Sequence, residues 1–111
     1  MDGSRDTASR LFRIAAHERR RLALGCLAEH ARLTLPDLAD ELAAAEHGTD
    51  VADVPAETVT RTYFDLYHRH VPRLADAELV RYDQDRDLVS ITDRGRAFAG
   101  WLEDAVDDLP D

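Results

Sequence analysis

The sequence predicts a mainly α-helical domain with one small β-hairpin and an additional helix at its C-terminal end. Three observations lead there. The chain has 111 residues, the size of one domain, and 44% of them are apolar, enough for one core. Apolar residues recur at three- and four-residue intervals over three successive stretches. Two short apolar runs separated by a polar turn follow, and then a last helical stretch.

Residues 1–10 are polar and read as a flexible N-terminal segment, with the folded domain spanning 11–108. Leu11, Ile14, Ala15, Leu22, Ala23, Cys26, Leu27 and His30 share one face of a helix over 10–31. Its Glu18-Arg19-Arg20-Arg21 run is placed outward, and Gly25 inside it implies a closely packed neighbour. Thr34-Leu35-Pro36-Asp37 is a helix start. The threonine hydroxyl caps, Pro36 lacks an N–H where none is needed, and Asp37 faces the positive end of the helix dipole. Leu38, Ala39, Leu42 and Ala45 carry this second helix over 35–46, and His47-Gly48 ends it. Residues 48–56 read as a loop.

The third helix, 57–77, is the longest periodic stretch, with Val59, Tyr63, Leu66, Tyr67, His70 and Leu74 on one face. Pro72 removes a backbone donor and predicts a kink near His68. His70 and Tyr63 are expected to find buried hydrogen-bond partners. Residues 79–83 and 88–91 are short strands joined by the polar QDRD turn. Thr92-Asp93 caps the last helix, whose apolar face is Phe98, Trp101, Leu102, Ala105 and Val106.

A single hairpin cannot bury itself in water, so this one lies against the helices. Three helices followed by a two-stranded wing is the winged helix-turn-helix arrangement, in which the third helix enters a DNA groove. The segments ERRRLALGCLAEH, TLPDLADELA and RTYFDLYHRHVPRLADAELVRYD resemble a haloarchaeal family of winged helix-turn-helix domains of unknown function. The resemblance runs from about Glu18 to Ile91, and YFDLYHRHVPRLADA is its most specific part. It implies the winged-helix fold, a DNA-binding or regulatory role and no catalytic activity. The sequence departs from the family at Glu78, where glycine often follows LADA. A glycine there would take the left-handed conformation that stops a helix, so Glu78 either adopts that conformation or the helix ends differently.

The charge composition is unusual. All 14 basic residues are arginine, lysine is absent, and 23 acidic residues bring the net charge to -9 and the pI to about 4.9. This predicts a protein adapted to molar salt, where a Debye length of roughly 3 Å makes self-repulsion cheap. The charge is uneven: residues 1–32 are net basic, 33–56 hold six acids and no base, and 103–111 hold five acids.

Thr58, Arg61, Thr62, Asp65, Arg69 and Arg73 lie opposite the apolar face of the third helix and are the candidate DNA contacts. Arg61, near the helix start, suits the two acceptors of guanine, and Arg69 and Arg73 suit phosphates. Arg86 on the wing is a further phosphate candidate. The same row also reads as a solvated, ion-paired helix face. Arg19, Arg20 and Arg21 form the one basic run. Phe98, Trp101, Leu102 and Ala105 are the candidate dimer interface, joined by Leu11, Phe12 and Ile14. The other reading there is a monomer whose first and last helices cover each other.

His17, His30, His47, His68 and His70 are scattered without metal-ligand spacing, and no cofactor or metal is expected. Cys26 reads as a small core residue. No phosphate loop or activated nucleophile occurs, which argues against an enzyme. Neither a signal peptide nor a membrane-length apolar run is present, so the expected setting is the cytoplasm. The function expected is a DNA-binding transcriptional regulator in a high-salt cytoplasm, a homodimer on double-stranded DNA with helix 57–77 as its recognition helix. The alternative is a protein–protein interaction or dimerisation module on the same scaffold, with no DNA binding.

Overall fold

The computed structural model describes residues 3–107, and the side chains of 8–105. Val106, expected on the apolar face of the last helix, and the chain end from 108 lie outside the described side chains.

The first predicted helix divides in two. Gly3–Ala15 (α1) and Glu18–His30 (α2) are separated at Ala16 and His17, and His17 is extended at φ -101° and ψ 117°. The arginine run explains how the break is stabilised. The Arg21 guanidinium donates to the Ala15 carbonyl, and Arg20 Nη1 donates to the Arg13 carbonyl at 3.3 Å. Both serve acceptors left open at the end of α1. Residues 3–10, assigned to a polar tail from sequence, belong to α1.

A strand that the sequence reading lacks, Arg32–Thr34 (β1), follows α2. Leu35–His47 (α3) then begins and ends as expected. Thr34 Oγ1 accepts from the Asp37 N–H at 3.3 Å, Pro36 lies in the first turn, and Gly48 closes the helix in the left-handed conformation at φ 64°. After a short 3₁₀ turn at Val51–Asp53 the chain enters Ala56–Asp65 (α4).

The chain stays helical from α4 to Val71–Asp76 (α5), but Leu66–His70 between them is a π segment. The Pro72 ring would meet the His68 carbonyl in a regular α-helix. Widening the turn just before the proline removes that conflict, so the kink expected near His68 takes this form. α5 ends in a Schellman motif: the Leu79 N–H donates to the Leu74 carbonyl at 3.0 Å and the Glu78 N–H to the Ala75 carbonyl at 2.9 Å. Glu78 occupies the left-handed position at φ 63°, where glycine is the usual residue.

Val80–Asp83 (β2) and Leu88–Ile91 (β3) form the expected hairpin, with Val80 opposite Ile91 and Asp83 opposite Leu88. β1 adds to its other side, antiparallel, with Arg32 opposite Ser90. The sheet order is β1-β3-β2, so β3 is central and its Val89 is fully buried. Thr92 starts Asp93–Asp107 (α6): its Oγ1 accepts from the Gly95 N–H at 2.9 Å, while its hydroxyl reaches the Glu78 and Leu79 carbonyls.

The core joins all these elements. Leu24 and Leu27 of α2, Leu38 and Leu42 of α3, Leu66, Leu74, Leu79 and Val89 meet in one cluster, which Phe98 and Leu102 of α6 close. The result is mainly helical with a small three-stranded antiparallel sheet and a C-terminal helix, in the order of a winged helix. α1 and α6 are additions to that plan.

Candidate nucleic-acid interface

α4 rests on α3 through its inner face. Thr62 is buried there, with its hydroxyl donating to the Thr58 carbonyl at 3.0 Å, and Leu66 and His70 continue the buried side. Thr60, Arg61, Phe64 and His68 are exposed on the outer side. Arg61 pairs with Glu57 at 2.7 Å, but both side chains are about three-quarters exposed, so the pair holds Arg61 weakly. The predicted row of side chains is therefore split. Arg61, Arg69 and Arg73 face solvent, Thr58 is half-buried, and Thr62 is turned inward. Asp65 is also committed within the subunit.

Asp65 lies at the centre of a chain of polar contacts. Its Oδ2 accepts from Arg19 Nη1 at 2.7 Å and from His70 Nε2 at 2.8 Å. Arg19 also grips Glu46 of α3 with two bonds of 2.6 Å. On the far side, Arg20 Nε donates to His70 Nδ1 at 3.0 Å. These bonds fix the imidazole as the neutral tautomer carrying its proton on Nε2. Burial lowers the His70 pKa and outweighs the opposing pull of Asp65. For Asp65, burial alone would raise the pKa, but Arg19 and His70 prevail and hold it below the usual carboxylate value. The chain Glu46–Arg19–Asp65–His70–Arg20 thus locks α2, α3 and the long helix together. The arginine run expected outward supplies two of its members.

A second set of contacts fixes the wing to α4. The Tyr63 hydroxyl donates to Asp87 Oδ2 at 2.7 Å, and the Tyr82 hydroxyl donates to the other oxygen. Tyr67 stacks on Tyr63 and meets the Tyr82 ring edge-on. Both phenols have raised pKa values, Tyr63 chiefly through its bond to Asp87 and Tyr82 chiefly through burial, so both remain donors. The partners expected for His70 and Tyr63 are thereby identified. At the wing tip Arg86 is largely exposed, 3.8 Å from Asp83. The sequence reading missed Phe64 and His68, whose rings stack at 6.0 Å beside Arg61. An aromatic residue one position off the buried row was the available signal.

Residues 12–90 match the family described as a domain of unknown function, DUF7344. The chain belongs to this family. No curated protein and no solved structure matches it. The matched residues take in α2, α3, the jointed helix and the sheet as far as Ser90, and so both sets of contacts above. α6 lies beyond them.

The α6 side chains assigned to a dimer interface separate into two groups. Phe98 and Leu102 are each 9% exposed and belong to the subunit's own core. Trp101 is 51% exposed and stacks on Phe98 at 5.7 Å, and Ala105 is half-buried. In α1, Ile14 is buried and Leu11 half-buried, whereas Phe12 is 65% exposed. Cys26 is half-buried, and its thiol pKa is raised by burial first and by Glu41 and Glu29, the opposite of an activated thiolate. Among the described residues no three His, Cys, Asp or Glu side chains converge as a metal site. No described helix is long and apolar enough to cross a membrane.

Proposed function

We propose that this DUF7344 domain is a DNA-binding transcriptional regulator of winged-helix type, acting in a high-salt cytoplasm with the helix over 57–77 as its recognition element. The supporting observation is the exposed row Thr60, Arg61, Phe64 and His68 on a helix whose other side is anchored to α3 and whose flank is fastened to the wing. Arg61 fits the two acceptors of guanine and Phe64 the methyl group of thymine. Arg69 and Arg86 fit phosphates. In molar salt counterion release contributes little, so base-edge hydrogen bonds and apolar contact carry more of the affinity. Fluorescence anisotropy with a genomic fragment library in molar potassium chloride tests this. Arg61→Ala and Phe64→Ala each weaken binding about tenfold with the fold intact. Absence of binding by the unaltered protein at every salt concentration overturns the reading.

The exposed Trp101 and Phe12 favour a second surface, on which two copies pair as a dimer or a protein partner docks. Light scattering in high salt reads this directly. A dimeric mass that falls to the monomer in Trp101→Ala supports self-association, and a monomeric mass in the unaltered protein excludes it.

A further inference from the structure

α1, α2 and α5 meet around a cleft of about 480 Å³, lined by Arg10, Arg13, Ile14, Arg20, Arg73 and Asp76. Four of these six residues are arginines, in a chain of net charge -9. Asp76 is the one carboxylate among them. Arg10 bonds not to that carboxylate but to the Asp76 backbone carbonyl, at 3.2 Å.

Arg20 is the distinctive member. It is 4% exposed, yet it forms no ion pair with any other described residue. Its two bonds go to neutral acceptors, His70 Nδ1 and the Arg13 carbonyl. Asp65, the nearest carboxylate of the network, is engaged by Arg19 and His70. A guanidinium carries five N–H donors, so Arg20 retains donors on the side that lines the cleft. Its pKa is lowered, by burial first and then by Arg73 and Arg69. Asp65 opposes this through space without bonding to Arg20, and burying a cation beside like charges costs stability. Serving the last carbonyls of α1 accounts for one donor of Arg20. It does not account for Arg13 and Arg73 turning to the same hollow. Planar guanidinium forks converging on a concave space are the chemistry of phosphoryl recognition. The volume exceeds what a bare phosphate fills and lies within the range of small-molecule sites.

We propose that this cleft is an effector site for a small phosphomonoester, with phosphoryl oxygens held by Arg13, Arg20 and Arg73 and a neighbouring ligand hydroxyl donating to Asp76. The site lies at the opposite end of the long helix from the proposed base-reading residue Arg61, next to Arg69. Arg73 lies twelve residues beyond Arg61 on the long helix, about 18 Å away at the helical rise. The bond from Arg20 to His70 connects the two regions.

The test is titration of the full chain with inorganic phosphate and with glycerol 3-phosphate, followed by phosphorus NMR line broadening. Both run in molar potassium chloride at matched ionic strength, with glycerol as control. Saturable binding of both phosphates, tighter for glycerol 3-phosphate, is expected. Arg13→Ala and Arg73→Ala each weaken it at least tenfold, because one charge-assisted contact is lost. Arg94→Ala, at an exposed arginine of α6, leaves it unchanged. Arg13 and Arg73 are exposed, so these variants fold, and circular dichroism checks it. No saturable binding, or binding indifferent to Arg13→Ala and Arg73→Ala, overturns the proposal. A DNA backbone is the other source of phosphate. If free phosphates do not bind, while both variants weaken duplex binding and reduce its salt slope by about one, the cleft holds DNA and the effector assignment is wrong.

Discussion

Replacing Asp65 with alanine removes the carboxylate that joins α2, α3 and the π segment. Two charge-assisted bonds disappear, to Arg19 at 2.7 Å and to His70 at 2.8 Å. Such bonds contribute about 1.5–3 kcal/mol each. They do not simply add, because both end on one oxygen. Asp65 is 30% exposed, so water recovers part of the loss at Arg19. His70 is only 3% exposed, and its Nε2–H is left without a partner in the interior. That orphaned donor dominates the cost, and the total comes to about 2–3 kcal/mol. An unfolding entropy of about 2.1 cal/mol/K per residue converts this to a Tm lower by about 10 °C. Differential scanning calorimetry in molar salt measures it. Asp65→Asn keeps an acceptor and loses the charge, so it falls between the variant and the unaltered protein. A loss below about 1 kcal/mol for Asp65→Ala would refute the view that this carboxylate organises the helix junction.

The other predictions concern the joints of the fold. A Cβ at Gly95 would lie 2.0 Å from the Leu79 carbonyl oxygen and 2.7 Å from Ile91 Cγ1, so Gly95→Ala forces α6 off the hairpin and destabilises by about 2–4 kcal/mol in urea melts; a neutral result means α6 packs elsewhere. Glu78→Gly relieves a left-handed non-glycine residue and raises stability by up to about 1 kcal/mol, the strain relief exceeding the added freedom of the unfolded chain; a loss would show that the Glu78 side chain matters more than its backbone. The folded pKa of His70 lies below its ordinary value of 6.5, through burial and the nearby Arg20 and Arg69 against the opposing Asp65, and His17 shifts the same way beside Arg20. The unfolded chain therefore takes up protons first, so stability is full above about pH 6.5 and declines as the pH falls below it. The urea midpoint at pH 5 is expected below that at pH 7.5, with a shallower decline in His70→Gln; equal midpoints would contradict the neutral imidazole.

What the sequence made legible was local. Thr34, Pro36 and Gly48 bounded α3 correctly because caps act on the adjacent backbone. Pro72 announced a distortion near His68, and Glu78 announced a strained helix end, for the same reason. The errors arose where partners are distant in the chain. The apolar spacing runs in phase across Ala16 and His17, so periodicity could not show that α1 and α2 separate. β1 has three residues, too few to display alternation, and exists because β3 offers a free edge. Arg19 and Arg20 looked like solvated charges because Glu46, Asp65 and His70 lie 27 to 50 positions further along. Gly95 gave no sign of its role, which depends on the backbone at Leu79.

The π segment gives the long helix two distinct ends. Upstream, α4 is held by α3 and by the wing through Tyr63, and it presents Arg61 and Phe64. Downstream, α5 packs on β2, receives the Arg10 bond at the Asp76 carbonyl, and faces the arginine cleft. His70 lies in the π segment and is bonded on both sides, accepting from Arg20 and donating to Asp65. A ligand can shift an equilibrium only through contacts that differ between two states. An anion drawing on Arg20 has one such contact within reach, the Nε–His70 bond, and through it the Asp65 carboxylate that α4 contributes. A rigid α-helix would have no joint at which this difference could act. The wide turn before Pro72 supplies one, and it stands between the residues proposed to read bases and those proposed to hold a phosphoryl group.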